Sequence, residues 1–218
     1  MSTLHSENAD ERSARGSTGS DGEGAARILR AAIRLFIREG GAAFTARGVA
    51  KEAGASLGAV QHFFRTKDQL LAAMLEQVLA DYAANYEKVA SGLPFNGEAR
   101  LLGAIEFLVS DVWRPDTRKF FFNLYALSCN NAFAARRMNE VFAHHRRRLA
   151  SYIGAARPHL SEQECFDLAL QIAALLEGLM IYTAPGAKSV SPRERLTEMV
   201  KDTVLRLICE RPAPPVRK

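Results

Sequence analysis

A chain of 218 residues that is 48% hydrophobic and 24% charged has enough apolar side chains for a core and is not a disordered polymer. No uninterrupted apolar run approaches the roughly 18 residues of a membrane span, and the first residues lack the apolar stretch of a cleaved leader, so a cytoplasmic protein with no membrane partner is expected. The net charge of +5 is modest but unevenly placed: residues 1–23 are net acidic, whereas between residues 24 and 70 eight basic side chains face only Glu39, Glu52 and Asp68, the concentration a polyanion-binding module requires.

Residues 1–23, rich in Ser, Gly and Glu, read as a flexible tail that cannot bury enough apolar area to offset ordering. From Gly24, the residues Ile28, Leu29, Ala32, Leu35 and Phe36 recur at helical spacing with arginines between them, predicting a first helix that Gly40-Gly41 ends. A short second helix is predicted from Thr45 as N-cap to about Ala53, and a third from Ser56 as N-cap to about Phe63. Only Gly54 and Ala55 separate them, and Gly at the left-handed position of so short a turn sets two helices at a steep angle. Thr66-Lys67-Asp68-Gln69 matches a capping box that opens a long fourth helix through Tyr82, fading near Ser91 to Pro94. Beyond it, Pro115, Asn130-Asn131, Pro158 and Pro185-Gly186 divide periodic apolar segments at about 98–113, 116–128, 132–156, 161–184 and 191–210. Two of these open on further capping boxes, Ser161 to Glu164 and Ser191 to Glu194. Nothing alternates as a strand would, so the expected fold class is all-α with about nine helices.

Three short helices and a capped long one, basic in total, with the third starting just after a glycine corner, form the helix-turn-helix layout, in which the third helix enters the major groove by its N-terminal end. Its leading face must be small and uncharged to reach base edges, and Gly58 and Ala59 meet that need. Gln61 can pair bidentately with adenine, His62 can donate or accept at a base or phosphate, and Leu57 can touch a thymine methyl. Thr45, Arg47 and Lys67, like Ser56, stand at helix starts, where hydroxyl, charge and free N–H groups can meet a phosphate. Val60 and Phe64 are expected on the core side with Val49 and Ala53.

Thr45-Ala46-Arg47-Gly48-Val49-Ala50-Lys51-Glu52-Ala53-Gly54-Ala55-Ser56-Leu57-Gly58-Ala59-Val60, followed by Phe64, Lys67 and Leu70, resembles the DNA-binding domain of TetR-family transcriptional regulators over about residues 25–75. Many members carry Tyr and His where this chain has Gln61 and Phe63, and GAVQHFFRTKDQLL is closer to the BetI-like branch, typified by a choline-responsive regulator. The resemblance implies that Thr45 and Lys67 clamp phosphates while Leu57, Gly58, Ala59, Gln61 and His62 face the bases. It also implies a helix-turn-helix DNA-binding domain at 24–70, a larger helical ligand-sensing and dimerisation domain at 71–211 and a tail at 212–218. The expected function is that of a repressor acting as a homodimer on a double-stranded, roughly palindromic DNA operator and released by a small-molecule inducer. In the family the last two helices pair with their copies. Here Leu168, Ile172, Leu175, Leu176 and Leu179, then Val200, Val204 and Leu207, would supply that apolar stripe, with part of it serving the chain's own core.

The middle of the chain is aromatic, and aromatics at helical spacing are usually core. Glu106 and Glu177, however, are carboxylates within apolar helices that need a partner if buried. With Trp113, Phe121, Tyr125 and Phe142 they would make an aromatic-walled acidic pocket suited to a cationic or aromatic effector. His144 and His145 stand about 100° apart on a helix rather than at the i, i+4 spacing of paired metal ligands, and Arg146 to Arg148 read as a solvated helix face. Cys129, Cys165 and Cys209 lie in apolar runs without a C-x-x-C pair and read as packing residues, so neither metal nor cofactor is expected. A small helical enzyme using Glu106 or Glu177 is the alternative from another class, but no nucleophile elbow, phosphate loop or dinucleotide fingerprint accompanies it. A third reading is a DNA-binding dimer with no ligand, distinguished by a filled core in place of a pocket.

Overall fold

The computed structural model describes residues 7–93, 96–182 and 193–209, and these contain nine α-helices and no strand. The helices are α1 (Glu7–Ala43), α2 (Ala46–Ala53), α3 (Leu57–Phe63), α4 (Lys67–Ala90), α5 (Gly97–Asp111), α6 (Pro115–Ser128), α7 (Ala132–Ala156), α8 (Glu162–Tyr182) and α9 (Arg193–Cys209). They divide into two compact units, Met1–Gln77 and Val78–Lys218. The division falls inside α4, beyond residue 70, because the first turns of that helix carry the buried side chains Leu70, Leu71, Met74 and Leu75.

In the first unit α1 packs on α2 and α3. Its buried face is Ile28, Ala31, Ala32, Leu35 and Phe36, the i, i+3, i+4, i+7 stripe of an amphipathic helix. Helix α1 begins at Glu7, upstream of the start expected at Gly24. The run from Glu7 to Arg15 contains mostly residues of good or neutral helix propensity. Gly40, at φ 75°, interrupts the helix as expected, and Phe44 then turns inward to meet Phe36 edge to face at 5.5 Å. Thr45 caps α2 by accepting from the Gly48 N–H at 3.0 Å. At its other end Gly54 adopts φ 59°, ψ 37°, and the N–H groups of Gly54 and Ala55 bond back to the carbonyls of Lys51 and Ala50, a Schellman closure. Ser56 restarts the chain, accepting from Ala59 N–H at 3.1 Å. Thr66 caps α4 through Gln69 N–H, while the Gln69 side chain reaches Arg65 N–H, one residue earlier than a standard capping box.

In the second unit α7 packs on α5, α6 and α8, while α9 packs on α5 and α8. Asn96, Asn131 and the reciprocal pair Ser161 and Glu164 cap α5, α7 and α8. The capping box expected at Ser191 lies outside the described residues. Gly97 admits a close crossing: a Cβ there would overlap the Ala155 carbonyl of α7. By length and composition α8 could cross a membrane, with a mean hydropathy of 1.6, although polar residues interrupt its apolar run. That apolarity is used in packing, since Cys165, Leu168, Ala169, Ile172, Leu176, Leu179 and Met180 are all buried.

This burial divides the expected stripe, part of which serves the chain's own core. Leu168, Ile172, Leu176 and Leu179 of α8 and Val204 of α9 belong to the chain's own core. Leu175, Val200 and Leu207 are half-buried. The apolar side chains that α8 and α9 expose are Leu170, Ile181, Tyr182, Met199 and Leu205.

Candidate nucleic-acid interface and ligand cavity

In the first unit, α3 is anchored by Val60, which is fully buried, with Val49 of α2 behind it. Phe64 and Ala53 are half-buried. The opposite edge of α3 is open: Ser56, Gly58, Gln61 and His62 are exposed, and Leu57 and Ala59 partly so. A Cβ built on Gly58 would meet only the Ser56 hydroxyl, at 3.9 Å, so packing within the chain places no demand for glycine there. Phe63 turns back onto α1, its ring 3.2 Å from where a Gly24 side chain would begin.

The charges around this edge are of two kinds. Arg34 and Arg38 of α1 are taken up by Glu52 of α2, at 3.3 and 2.8 Å, fixing the two helices to each other. The Arg38 hydrogen bond, with help from Arg34, holds the Glu52 carboxyl below its ordinary value against the contrary pull of partial burial. Thr45, Arg47 and Lys67 are exposed. Lys67 uses one ammonium proton on the Gly41 carbonyl at 3.3 Å, which fixes the position of its Nζ and leaves two donors outward. The nine residues singled out in the sequence for DNA contact therefore lie on α2, α3 and the start of α4 of one unit, all exposed or partly so.

The second unit contains a cavity of about 270 Å³. Phe121, Tyr125, Phe142 and Glu177 line it, four of the six effector residues proposed from the sequence. Tyr125 donates to Glu177 at 2.5 Å, and Phe142 stacks between Tyr125, at 5.9 Å, and Phe121, at 6.1 Å. Burial pushes the Glu177 carboxyl above its ordinary value despite the Tyr125 hydroxyl, and burial, then Glu177 itself, pushes the Tyr125 phenol up.

The other two lie elsewhere. Glu106 is on the outer face of α5, its side chain 73% exposed and paired with Lys201 at 3.1 Å. Trp113 faces α9, where its indole N–H donates to Thr197 at 3.0 Å and Arg193 lies over its ring. A carboxylate or an indole in an apolar run can fall on either side of a helix, and both of these fall away from the cavity.

In their place the cavity takes other side chains, which the sequence did not single out as effector contacts. Tyr82 of α4 hydrogen-bonds Asp111 of α5, whose Oδ2 also accepts from Thr117 of α6 at 3.1 Å and whose Oδ1 faces Arg114 at 3.5 Å. Burial, then the Asp111 charge, push the Tyr82 phenol up. Tyr86 and Tyr152 lie with ring centroids 4.8 Å apart, tilted by 31°. His145 points inward against Tyr82, with ring centroids 5.3 Å apart, while its neighbour His144 is exposed. Burial, then the charges of His144 and Arg148, lower His145 to about 4, so it is neutral at physiological pH. Arg146 and Arg148 also line the cavity and are half-buried, which corrects their reading as a solvated face; of the three arginines only Arg147 is exposed. Only a signal linking α4 to α7 could have revealed this, since Tyr86 and Arg148 are far apart in sequence.

A glycine-cornered helix pair with a bare, neutral reading edge, joined to a helical unit that contains a polar-and-aromatic cavity, defines a DNA-binding transcriptional regulator with a separate sensing domain. The model of bacterial regulatory proteins of the tetR family matches residues 28–74, and that of the BetI-type transcriptional repressor C-terminal domain matches residues 94–208. The chain belongs to the TetR family of transcriptional regulators, with a C-terminal domain of the BetI type. It is 28% identical over 157 residues to the HTH-type transcriptional regulator BetI of Agrobacterium fabrum, covering 71% of this chain and 73% of that protein. It is 45% identical over 51 residues to the HTH-type transcriptional regulator PksA of Bacillus subtilis, 23% of this chain and only 25% of that protein. The fold matches a transcriptional regulator from Saccharomonospora viridis solved in complex with choline, with a TM-score of 0.68, 21% identity, and 84% and 96% of the two chains covered.

Proposed function

We propose that the chain is a homodimeric repressor that holds a roughly palindromic operator in the cytoplasm and lets it go when the second unit binds a small cation. The observation that carries the sensing half is Glu177: a half-buried carboxylate whose one hydrogen bond among the described residues is from a tyrosine, beside a stack of aromatic rings, in a cavity of about 270 Å³. A quaternary or protonated amine would supply the missing charge and lie against ring faces, the chemistry of aromatic cation cages. The choline held by the Saccharomonospora neighbour supports the same ligand class, and the cavity favours sensing over a ligand-free dimer.

For the DNA half, Leu57, Gly58, Ala59, Gln61 and His62 read bases while Thr45, Arg47, Ser56 and Lys67 hold phosphates. Two such edges related by a two-fold axis would meet the groove about one turn apart. The exposed apolar side chains Leu170 and Ile181 on α8 and Met199 and Leu205 on α9 form the face on which two copies would pair. The test is a duplex taken from the DNA flanking the coding region, titrated with protein at low salt and then with choline. Binding that choline reverses supports the reading. Binding that no amine reverses leaves a DNA-binding protein whose effector is of another class, and no duplex affinity at all removes the proposal.

A further inference from the structure

We infer that the effector is bipolar, an ammonium group joined by a short spacer to a carboxylate, because the cavity wall presents the uncompensated Glu177 and, along α7, the guanidinium groups of Arg146 and Arg148. This rests on the cation reading above and narrows it. Arg146 lines the cavity, is half-buried, and makes no hydrogen bond or ion pair among the described residues. Arg148 donates from Nε to the Tyr152 hydroxyl at 2.8 Å and from Nη2 to Glu87 at 2.9 Å, with its guanidinium 4.9 Å from the centre of the Tyr86 ring. Its Nη1 has no partner among the described residues.

Two guanidinium groups are an odd wall for a site that holds only a cation, since each repels it. Their fixed counter-charges are too few. Glu87 is 71% exposed, so water screens it, and Arg146 has none. Asp111 is already engaged by Tyr82, Thr117 and Arg114 and so is not free to balance the arginines. What remains is one carboxylate at the Tyr125–Phe142 end and at least one free guanidinium fork further along α7. A carboxylate is the planar acceptor that such a fork fits. From Phe142, Arg146 is about 6 Å and Arg148 about 9 Å along the helix axis, which a spacer of a few carbon atoms spans once the side chains reach inward.

The experiment compares three probes on the full-length protein by isothermal titration at low salt: γ-trimethylammonio-butyrate, butyltrimethylammonium and butyrate. The first two share cation and chain and differ in the carboxylate. The zwitterion is expected to bind at least about tenfold more tightly than its hydrocarbon analogue, the worth of one charge-assisted bond. In Arg146→Gln that preference shrinks while butyltrimethylammonium binds as well as before or better, and the melting temperature without ligand is unchanged because Arg146 makes no hydrogen bond or ion pair among the described residues. Equal affinity of the two ammonium probes for the parent, or a preference that survives in both Arg146→Gln and Arg148→Gln, overturns the carboxylate subsite and leaves the cation reading standing. If neither ammonium probe binds, the cation reading falls and this inference with it.

Discussion

Gly48 and Gly58 look alike in the sequence and stand in opposite environments. A Cβ on Gly48 would lie 2.5 Å from the Ala43 carbonyl and 3.3 Å from Leu35, inside the packing of α1 on α2. On Gly58 it would meet nothing closer than 3.9 Å. Gly48→Ala is therefore expected to lower stability by about 1–3 kcal/mol through overpacking. Gly58→Ala should leave the melting temperature unchanged or raise it, by up to about 1 kcal/mol of helix propensity. Duplex titration of Gly58→Ala is then the informative measurement: weakened operator binding in a protein that folds as well or better shows that the glycine serves the groove, and unimpaired binding refutes that role. Half-buried titratable groups give a second pair of opposites. His145 has its proton affinity lowered on folding to about 4, so on acidification the unfolded chain protonates first, and stability present at neutral pH is lost between about 6.5 and about 4. Melting curves over that range should show a loss of up to about 3 kcal/mol in the parent that His145→Gln lacks. Glu177 is raised, so its ionisation above the ordinary carboxylate range works against the fold. Glu177→Gln should therefore melt higher than the parent at neutral pH while losing its response to ammonium ligands, and a variant that melts lower and still responds would contradict both roles.

Helix boundaries, apart from the start of α1, were legible because the signals are local. Thr45, Ser56, Thr66 and Ser161 cap the helices expected of them, and Gly54 takes the left-handed corner, since each of these acts within a few residues. What each helix packs against was not legible in the same way. Helix α8 is apolar on nearly every side, so its 3.6-residue period does not separate the Leu168, Ile172, Leu176 face, which is buried in the chain, from the Leu170, Ile181 face, which is not. One part of the cavity wall, Phe121, Tyr125, Phe142 and Glu177, was readable as aromatic and acidic residues on α6 to α8. The Tyr82 and Tyr86 contribution from α4 depends on pairings 29 residues apart with Asp111 and more distant still with His145 and Tyr152, which no spacing rule reveals. The crossing of α5 and α7 is similarly a property of two distant backbones. Gly97→Ala places a methyl group against the Ala155 carbonyl and is expected to lower the melting temperature by several degrees, through a loss of about 1–3 kcal/mol.

Assembly and DNA binding are properties of the complete protein, and each has a distinct test. Replacing Ile181 and Met199, which are exposed and do not line the cavity, together with Lys puts charge on apolar surface without opening the core, so the chain should stay folded. Sedimentation is then expected to report a monomer whose operator affinity is lost with its second reading edge. If the doubly substituted chain still sediments as a dimer, the pairing face lies elsewhere. For the phosphate contacts, Lys67→Ala should weaken all duplex sequences alike and lower the slope of log affinity against log salt by about 1, whereas Gln61→Ala should alter preference at particular base pairs. An unchanged slope in Lys67→Ala would mean that its ammonium group serves only the Gly41 carbonyl.

The chain's single tryptophan adds something practical. The indole of Trp113 is tied to Thr197 and overlain by Arg193, both on α9, and it stands outside the cavity wall. Its fluorescence is thus a native optical gauge of how α9 is seated. Emission that drifts upon dilution, with no dye attached, would report subunits parting, while effector titrations read through the tyrosines would leave that signal as an internal reference.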